Sequence, residues 1–225
     1  MRAETLTETI YERMRGDLLT GVFVPGTPLR LEHVRQRYDV STSPLREAMF
    51  RLEAEGFLLL SSQRGFRVAP LSRDDLLDLT ERRIEIETRA LGLSIAKGDE
   101  EWESEVVKRQ YRFGLITKQV QTGKENFGTE WEERHRALHL ALIEACGSPR
   151  LQRFCLSLYD HFDRYRRLAR LRPKQLLTKD EDAIVASALQ RNDAKAVEIL
   201  ITHIQRTSDD VCEALFGNAT KDAAA

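Results

Sequence analysis

The chain has 225 residues, 41% of them hydrophobic and 32% charged, with a formal net charge of −1. That length suits one large or two modest domains, and near-neutrality excludes a global basic field as the source of any nucleic-acid affinity. No window approaches the ~18 apolar residues of a membrane span, and no apolar run follows a basic start, so neither a membrane protein nor a signal peptide is expected. The three cysteines, Cys146, Cys155 and Cys212, have spacings unrelated to zinc patterns and apolar neighbours. They read as reduced core residues of an intracellular protein. Charge is distributed unevenly. Residues 1–71 hold ten Arg, nine acidic residues and no Lys, while every Lys lies beyond residue 96.

In chain order, residues 5–20 predict a helix, with Leu6, Ile10, Met14 and Leu18 on one face. Gly21, Pro25, Gly26 and Pro28 must end it. Leu31 to Tyr38 predicts a short second helix, and Asp39-Val40 a tight turn. The next stretch, VSTSPLREAMFRL from Val40 to Leu52, opens on three hydroxyls and a proline, a helix start. Leu45, Met49 and Leu52 form its apolar face, with Arg46, Glu47, Phe50 and Arg51 opposite. A hydroxyl-rich helix N-terminus offers N–H donors to phosphate, and an early Arg matches the O6/N7 edge of guanine. An ordinary capped amphipathic helix would look the same in isolation. The order around it is that of a helix-turn-helix. Residues 56–61 and 66–70 then predict two strands about a turn containing Gly65, with Arg64 at the tip. Such a hairpin after a helix-turn-helix is a wing, whose basic tip can lie on phosphates or in the minor groove.

PLSRDD, from Pro70 to Asp75, reads as a short connection. Beyond it every segment has helical period, at roughly 73–97, 99–122, 129–146, 149–171, 176–191 and 193–216. The fold class is therefore mainly α. A winged helix-turn-helix over 1–71 precedes an all-α bundle of six to seven helices over 72–217, and a polar tail covers 218–225.

The helical part carries a polar set on apolar faces. Trp131, His135, Leu138, His139, Leu142, Ile143 and Cys146 form one stripe. Two imidazoles at i and i+4 can share a metal. His203 lies on a stripe with Leu200, Ile204 and Val211, and Glu181 shares a face with Ile184, Val185 and Ala188. Each histidine alone reads as a satisfied core residue. Several such groups buried without mutual partners are costly, which favours a metal or ligand site. Arg83 stands on a stripe with Leu76, Thr80, Glu87 and Ala90, either ion-paired to Glu87 or gripping a ligand carboxylate. His161 reads as an ordinary or pocket-lining residue and His33 as surface. The run Arg164, Arg166, Arg167, Arg170 and Arg172 reads as solvated surface.

The strings YxxxRxxLLxGxFxPGTxLR, VSTSPLREAMFRLEAEGFL and QRGFRVAP, spanning Ile10 to Pro70, resemble the DNA-binding domain of GntR-type bacterial transcription regulators. The resemblance implies that the helix near Ser41 is the recognition helix. It also implies DNA contacts from Ser41, Thr42, Ser43 and Arg46, with Arg64 and Gly65 from the wing. The chain departs from that family at Leu31-Glu32-His33-Val34-Arg35, where a polar S-E-x-x-L-A string is usual. Arg83-x-x-x-Glu87, HLALIEACGSPRL from His139 and NDAKA ahead of His203 resemble the effector-binding domain of the FadR-like FCD subfamily, in particular its CsiR branch. Members of that subfamily often bind a divalent metal through an Asp and three His at the floor of a carboxylate pocket. The resemblance maps His139 and His203 onto such ligands. It puts His135 where Asp is usual and Glu181 where His is usual, with Asp182 a one-residue-shifted alternative. It thus implies a zinc, nickel or manganese ion on His135, His139, Glu181 and His203. The alternative is a metal-free pocket in which Arg83 and another Arg bind the effector.

The expected function is a cytoplasmic bacterial transcriptional regulator, repression being the family's usual mode. Its implied partners are a palindromic double-stranded operator, a small organic acid effector and a second copy of the chain. The alternative is a metal-dependent enzyme acting on a small carboxylate. His135-Arg136-Ala137-Leu138-His139 has the spacing of zinc proteases but lacks the Glu after the first His that serves there as general base. No nucleophile elbow, phosphate loop or catalytic carboxylate pair accompanies it, so an enzyme is not expected. A winged module for protein contacts is a third reading, against which the Arg-only complement of residues 1–71 argues.

Overall fold

A computed structural model describes residues 5–61, 65–122, 128–169 and 180–217. The chain divides into two compact units, Met1–Leu76 with His161–Ala169, and Leu77–Asp160 with Arg170–Ala225.

The first unit begins with α1 (Leu6–Leu19), started by the Thr5 hydroxyl, which accepts from the Glu8 amide at 3.2 Å. Gly21, at φ 77°, turns the chain out of that helix. β1 (Pro28–Leu29) leads into α2 (Leu31–Tyr38) and α3 (Thr42–Ala54). The turn between these helices rests on Asp39, left-handed at φ 52°, whose amide donates back to the end of α2. Short polar residues such as Asp tolerate that conformation. β2 (Leu58–Ser61) and β3 (Gly65–Val68) follow, giving an antiparallel sheet in the order β1-β3-β2. Leu29 and Leu60 both pair with Phe66, and Pro28 pairs with Arg67. The third strand is a finding beyond the expected hairpin. Pro28 cannot donate to a ladder, which suits it to this edge. Residues 62–64, which hold the expected tip Arg64, lie outside the described residues.

The core that the residues from Ile10 to Val68 build in this unit is apolar. Ile10, Met14, Leu18, Leu45, Met49, Leu52, Phe57 and Val68 are among its buried members. At about 1.5–3 kcal/mol for each large side chain buried, this cluster is what orients α3. Polar ties join the helices at its rim. The Tyr11 hydroxyl donates to Glu55 at 2.7 Å, Arg51 donates to Glu8 at 2.7 Å, and the Tyr38 hydroxyl donates to Asp17 at 2.7 Å. Burial and the Glu55 carboxylate push the Tyr11 hydroxyl pKa up to about 12.

His161–Ala169 corrects one expectation and fits another. His161 packs within its own unit, the ordinary role that was one of its two readings. Its Nε2 lies 2.8 Å from the Glu55 carbonyl, and its ring stacks on Phe57 at 4.7 Å between centroids. Arg164 and Arg166 are buried rather than solvated. Asp163 accepts from Arg166 at 2.6 Å and from Arg167 at 2.7 Å, while Arg164 donates to the Ala69 carbonyl. An acidic residue inside the basic run supplies the counter-charge that burial of a guanidinium demands. Arg170 and Arg172 lie outside the described residues.

The second unit is helical throughout its described residues. α4 (Arg73–Lys97), which starts in the first unit, is followed by α5 (Glu100–Gln121) and α6 (Thr129–Ile143). A tighter turn at Glu144–Cys146 leads to α7 (Pro149–Ala169), whose part from His161 belongs to the first unit, then α8 (Asp180–Leu189) and α9 (Asp193–Phe216). The Asp99 and Asn192 side chains cap α5 and α9. Gly98 admits a close approach, since a Cβ there would meet the Trp102 ring at 2.2 Å. Trp102 in turn donates from Nε1 to the Ala141 carbonyl at 2.8 Å, tying α5 to α6. Gly147, left-handed at φ 73°, stops the tighter turn. Cys146 and Cys155 are buried, Cys212 is half-buried, and all three are free thiols.

Candidate functional site

On α3, Leu45, Ala48, Met49 and Leu52 face the core, leaving Ser41, Thr42, Ser43 and Arg46 exposed together. Ser41 holds the N-cap position but its hydroxyl caps no amide, so it leaves the first-turn N–H groups without a side-chain cap. The Arg46 guanidinium sits 5.6 Å from the centre of the Phe50 ring, and Phe50 meets Phe66 edge-on at 5.2 Å. The aromatic pair thus holds Arg46 by cation–π attraction, a support that Phe50's position on the polar face did not advertise. Gly65 has φ 130°, and a Cβ there would press on the Leu29 carbonyl at 3.3 Å. Its lack of a side chain is therefore a backbone requirement of the sheet.

In the second unit α6 carries His135 and His139 one turn apart, the first turn of α8 carries Glu181, and α9 carries His203. All four are buried, and one ligand atom from each lies within 4.8 Å of the others. His139 Nε2 is 3.1 Å from His135 Nε2, which is 3.2 Å from Glu181 Oε1, and His203 Nε2 is 3.9 Å from that same oxygen. Four donors on a tetrahedral ion at about 2.1 Å stand roughly 3.4 Å apart. The observed set needs only small adjustments to reach that geometry. Asp182, the shifted alternative, is exposed and accepts instead from Gln110 at 2.8 Å.

The electrostatics suit ligation. Burial, followed by the charges that His135 and His203 would carry, holds the His139 pKa well below its ordinary value, so the imidazole is neutral and its lone pair available. The resemblance had two ligand types exchanged. The structure brings the exchanged residues into one cluster, where the donor set is still three imidazoles and one carboxylate. Such a nitrogen-rich set suits zinc or nickel, and its carboxylate also admits manganese.

Arg83 is buried on α4 and bonds Glu87 through both edges, Nε to Oε1 at 2.6 Å and Nη2 to Oε2 at 3.3 Å. The expected ion pair is present. The same guanidinium lies 5.5 Å from the Tyr159 ring centre, and the Tyr159 hydroxyl is 2.8 Å from His135 Nδ1. Arg83 therefore stands one residue away from the cluster. Two neighbours of the site were missed by sequence reasoning. Neither Tyr159 nor Asp180, whose Oδ2 is 3.4 Å from His203 Nδ1, belongs to a motif that the sequence singled out. His203 first, and Arg206 second, hold the Asp180 pKa down at about 2.

A helix-turn-helix unit with a small sheet, followed by a helical unit with a buried donor cluster, is the architecture of a two-domain DNA-binding regulator, and the comparisons agree. Residues 6–68 match the family described as bacterial regulatory proteins, gntR family, and residues 78–206 match the FCD domain. The chain is 37% identical over 203 residues to the HTH-type transcriptional regulator BphR of Paraburkholderia xenovorans, covering 89% of this chain and 83% of that one. It is 32% identical over 214 residues to the HTH-type transcriptional repressor GlaR of Escherichia coli, covering 92% and 96%. The solved structure of E. coli McbR/YncC shares the fold, with a TM-score of 0.77 at 17% identity over 93% of this chain and 98% of that one. The chain belongs to the GntR family of bacterial regulatory proteins, with an FCD domain as its second part. It is a DNA-binding transcriptional regulator with an effector-binding domain, not an enzyme. No helix among the described residues is long and apolar enough to cross a membrane.

Proposed function

We propose that the chain is a cytoplasmic, homodimeric repressor of a catabolic operon, released or recruited by a small organic acid. Residues 1–71 bind a palindromic operator, with Ser41, Thr42, Ser43 and Arg46 on base edges and phosphates and Arg64 and Gly65 at the wing. Residues 72–217 dimerise and sense. A divalent metal held by His135, His139, Glu181 and His203 is the floor of the sensing site, and Arg83 is the nearby cation for the acid. The observation that carries this reading is the buried three-histidine, one-carboxylate cluster, with one ligand atom from each residue inside 4.8 Å. When bound, the metal supplies a Lewis-acid position for a carboxylate oxygen. The chain's own residues exclude water from it, with Trp131 stacked on His135 at 4.8 Å and Phe113 at 5.3 Å. The acid controls DNA binding only if it favours one conformation of the protein over another.

The test pairs elemental analysis of the purified chain with gel shifts on the DNA upstream of its own operon, with and without C3 to C6 carboxylic acids. Near-stoichiometric zinc, nickel or manganese, lost in His139→Ala and His203→Ala together with the acid response, is the expected result. Retention of metal by both variants would refute the ligand set. Absence of a sequence-specific shift at moderate salt would refute the operator.

A further inference from the structure

We infer that Tyr159 and Asp180 are positioning residues for the metal cluster, each holding the outer nitrogen of one ligating histidine so that the inner nitrogen faces the ion. The inference rests on the metal-binding reading above and adds two residues to it. An imidazole that ligates through one nitrogen carries its proton on the other, and that N–H needs an acceptor. His135 turns Nε2 toward His139 and Glu181 and leaves Nδ1 at 2.8 Å from the Tyr159 hydroxyl. The phenol oxygen has lone pairs to accept that proton. Ligation through His135 Nε2 therefore fixes the bond as Nδ1–H donating to Tyr159.

His203 has the corresponding partner at longer range. Its Nε2 lies 3.9 Å from Glu181, and its Nδ1 lies 3.4 Å from Asp180 Oδ2, an ion-pair distance at which neither buried atom completes a hydrogen bond. Asp180 is itself anchored by the Arg206 guanidinium, so an Arg206–Asp180–His203 chain ends on the cluster. Asp180 and Glu181 are adjacent in the first described turn of α8, Glu181 within the cluster and Asp180 beside the outer nitrogen of His203. The two acceptors differ in strength. A carboxylate accepts more strongly than a neutral phenol, and so raises the basicity of its histidine more. Asp180 should therefore matter more to metal affinity than Tyr159. Tyr159 also stands between the cluster and two guanidinium groups, with Arg83 at 5.5 Å and Arg136 at 5.3 Å from its ring centre. It links His135 to the cation assigned to the acid.

The experiment uses the full chain, stripped of metal and titrated with Co(II), comparing wild type with Tyr159→Phe and Asp180→Asn. Both substitutions keep the shape of the side chain, and circular dichroism of the metal-free proteins checks the fold. Loss of such a partner typically weakens metal affinity about 10–100-fold. The expected result is a fall within that range for Asp180→Asn, a smaller one for Tyr159→Phe, and an altered visible spectrum of the bound Co(II) in both. Imidazole nitrogen NMR of the metal-free chain gives a second readout. The Nδ1–H forms of His135 and His203 present in wild type should give way to the Nε2–H form in the matching variant. Unchanged affinity, spectrum and tautomer in both variants would overturn the inference while leaving the metal site standing. A wild-type chain that takes up no Co(II) would overturn both.

Discussion

The two parts of the chain place their polar groups in opposite ways. Among the described residues from 5 to 69, every buried side chain is apolar or a tyrosine. The hydroxyls of Ser41, Thr42 and Ser43 and the charge of Arg46 are all outside. From Thr80 onward the interior admits polar groups among its apolar ones, with Arg83, Glu87, Glu132, His135, His139, Glu181 and His203 buried. A surface that meets a duplex must keep its donors in water until contact, and a chamber for an ion or small anion must aim them inward from a scaffold. The bulk charge says little in either case. The net charge of the whole chain is −1, and function sits in local arrangement.

The largest effect that would break the comparison comes from the apolar half. Leu52 is fully buried in the winged core. Leu52→Ala should cost about 2–5 kcal/mol in denaturant unfolding, through lost transfer energy and a cavity that collapses only partly. A cost below about 1 kcal/mol would mean that α3 is not held by this core. The polar half should respond to metal instead. With the ion at 100-fold its dissociation constant, the wild-type chain should gain about 2.7 kcal/mol. His139→Ala should gain nothing, and an equal thermal shift in both would remove the cluster from the account. Next in size is the exposed edge. Arg46→Ala should lose about 1–3 kcal/mol of specific operator affinity in gel shifts with an unchanged melting temperature, because the side chain contributes nothing to the core. Equal loss on specific and nonspecific DNA would demote Arg46 to a phosphate contact.

How much of this could be read in advance follows from the range of the forces involved. Stripes such as Leu45, Met49 and Leu52, or His135 and His139, are local periodicities, and they predicted the helices and the facing of both histidines. β1 is two residues long and exists only because β3 pairs with it, so no local pattern could announce Pro28–Leu29. Glu181 lies on the buried face of α8 with Ile184, Val185 and Ala188, the face its spacing announced, while Asp182 is exposed. Arg164 and Arg166 were misread because a basic run suggests solvent, while their partners Ala69 and Asp163 are set by packing. Tyr159 and Asp180 are single residues acting through a second side chain, a role with no signature in spacing.

The smallest predicted effect separates the two halves by pH. His139 is a base whose pKa in the fold is depressed, first by burial and then by its histidine neighbours. Below the ordinary value of 6.5 the unfolded chain takes up a proton that the folded chain refuses, so stability falls as pH falls. The contribution is intact above pH 6.5, and its loss steepens toward about 1.4 kcal/mol per pH unit until the folded pKa is reached. The winged half adds no such slope through Tyr11, which titrates near 12. The measurement is urea unfolding of chelator-treated protein between pH 7.5 and 5.5, with His139→Asn subtracted so that shared carboxylate titrations cancel. A wild-type slope equal to that of the variant would show that His139 protonates as freely in the fold as in water, which a buried, ligation-ready imidazole cannot do. Added metal should move the loss to lower pH, since the ion competes with the proton for the same lone pair.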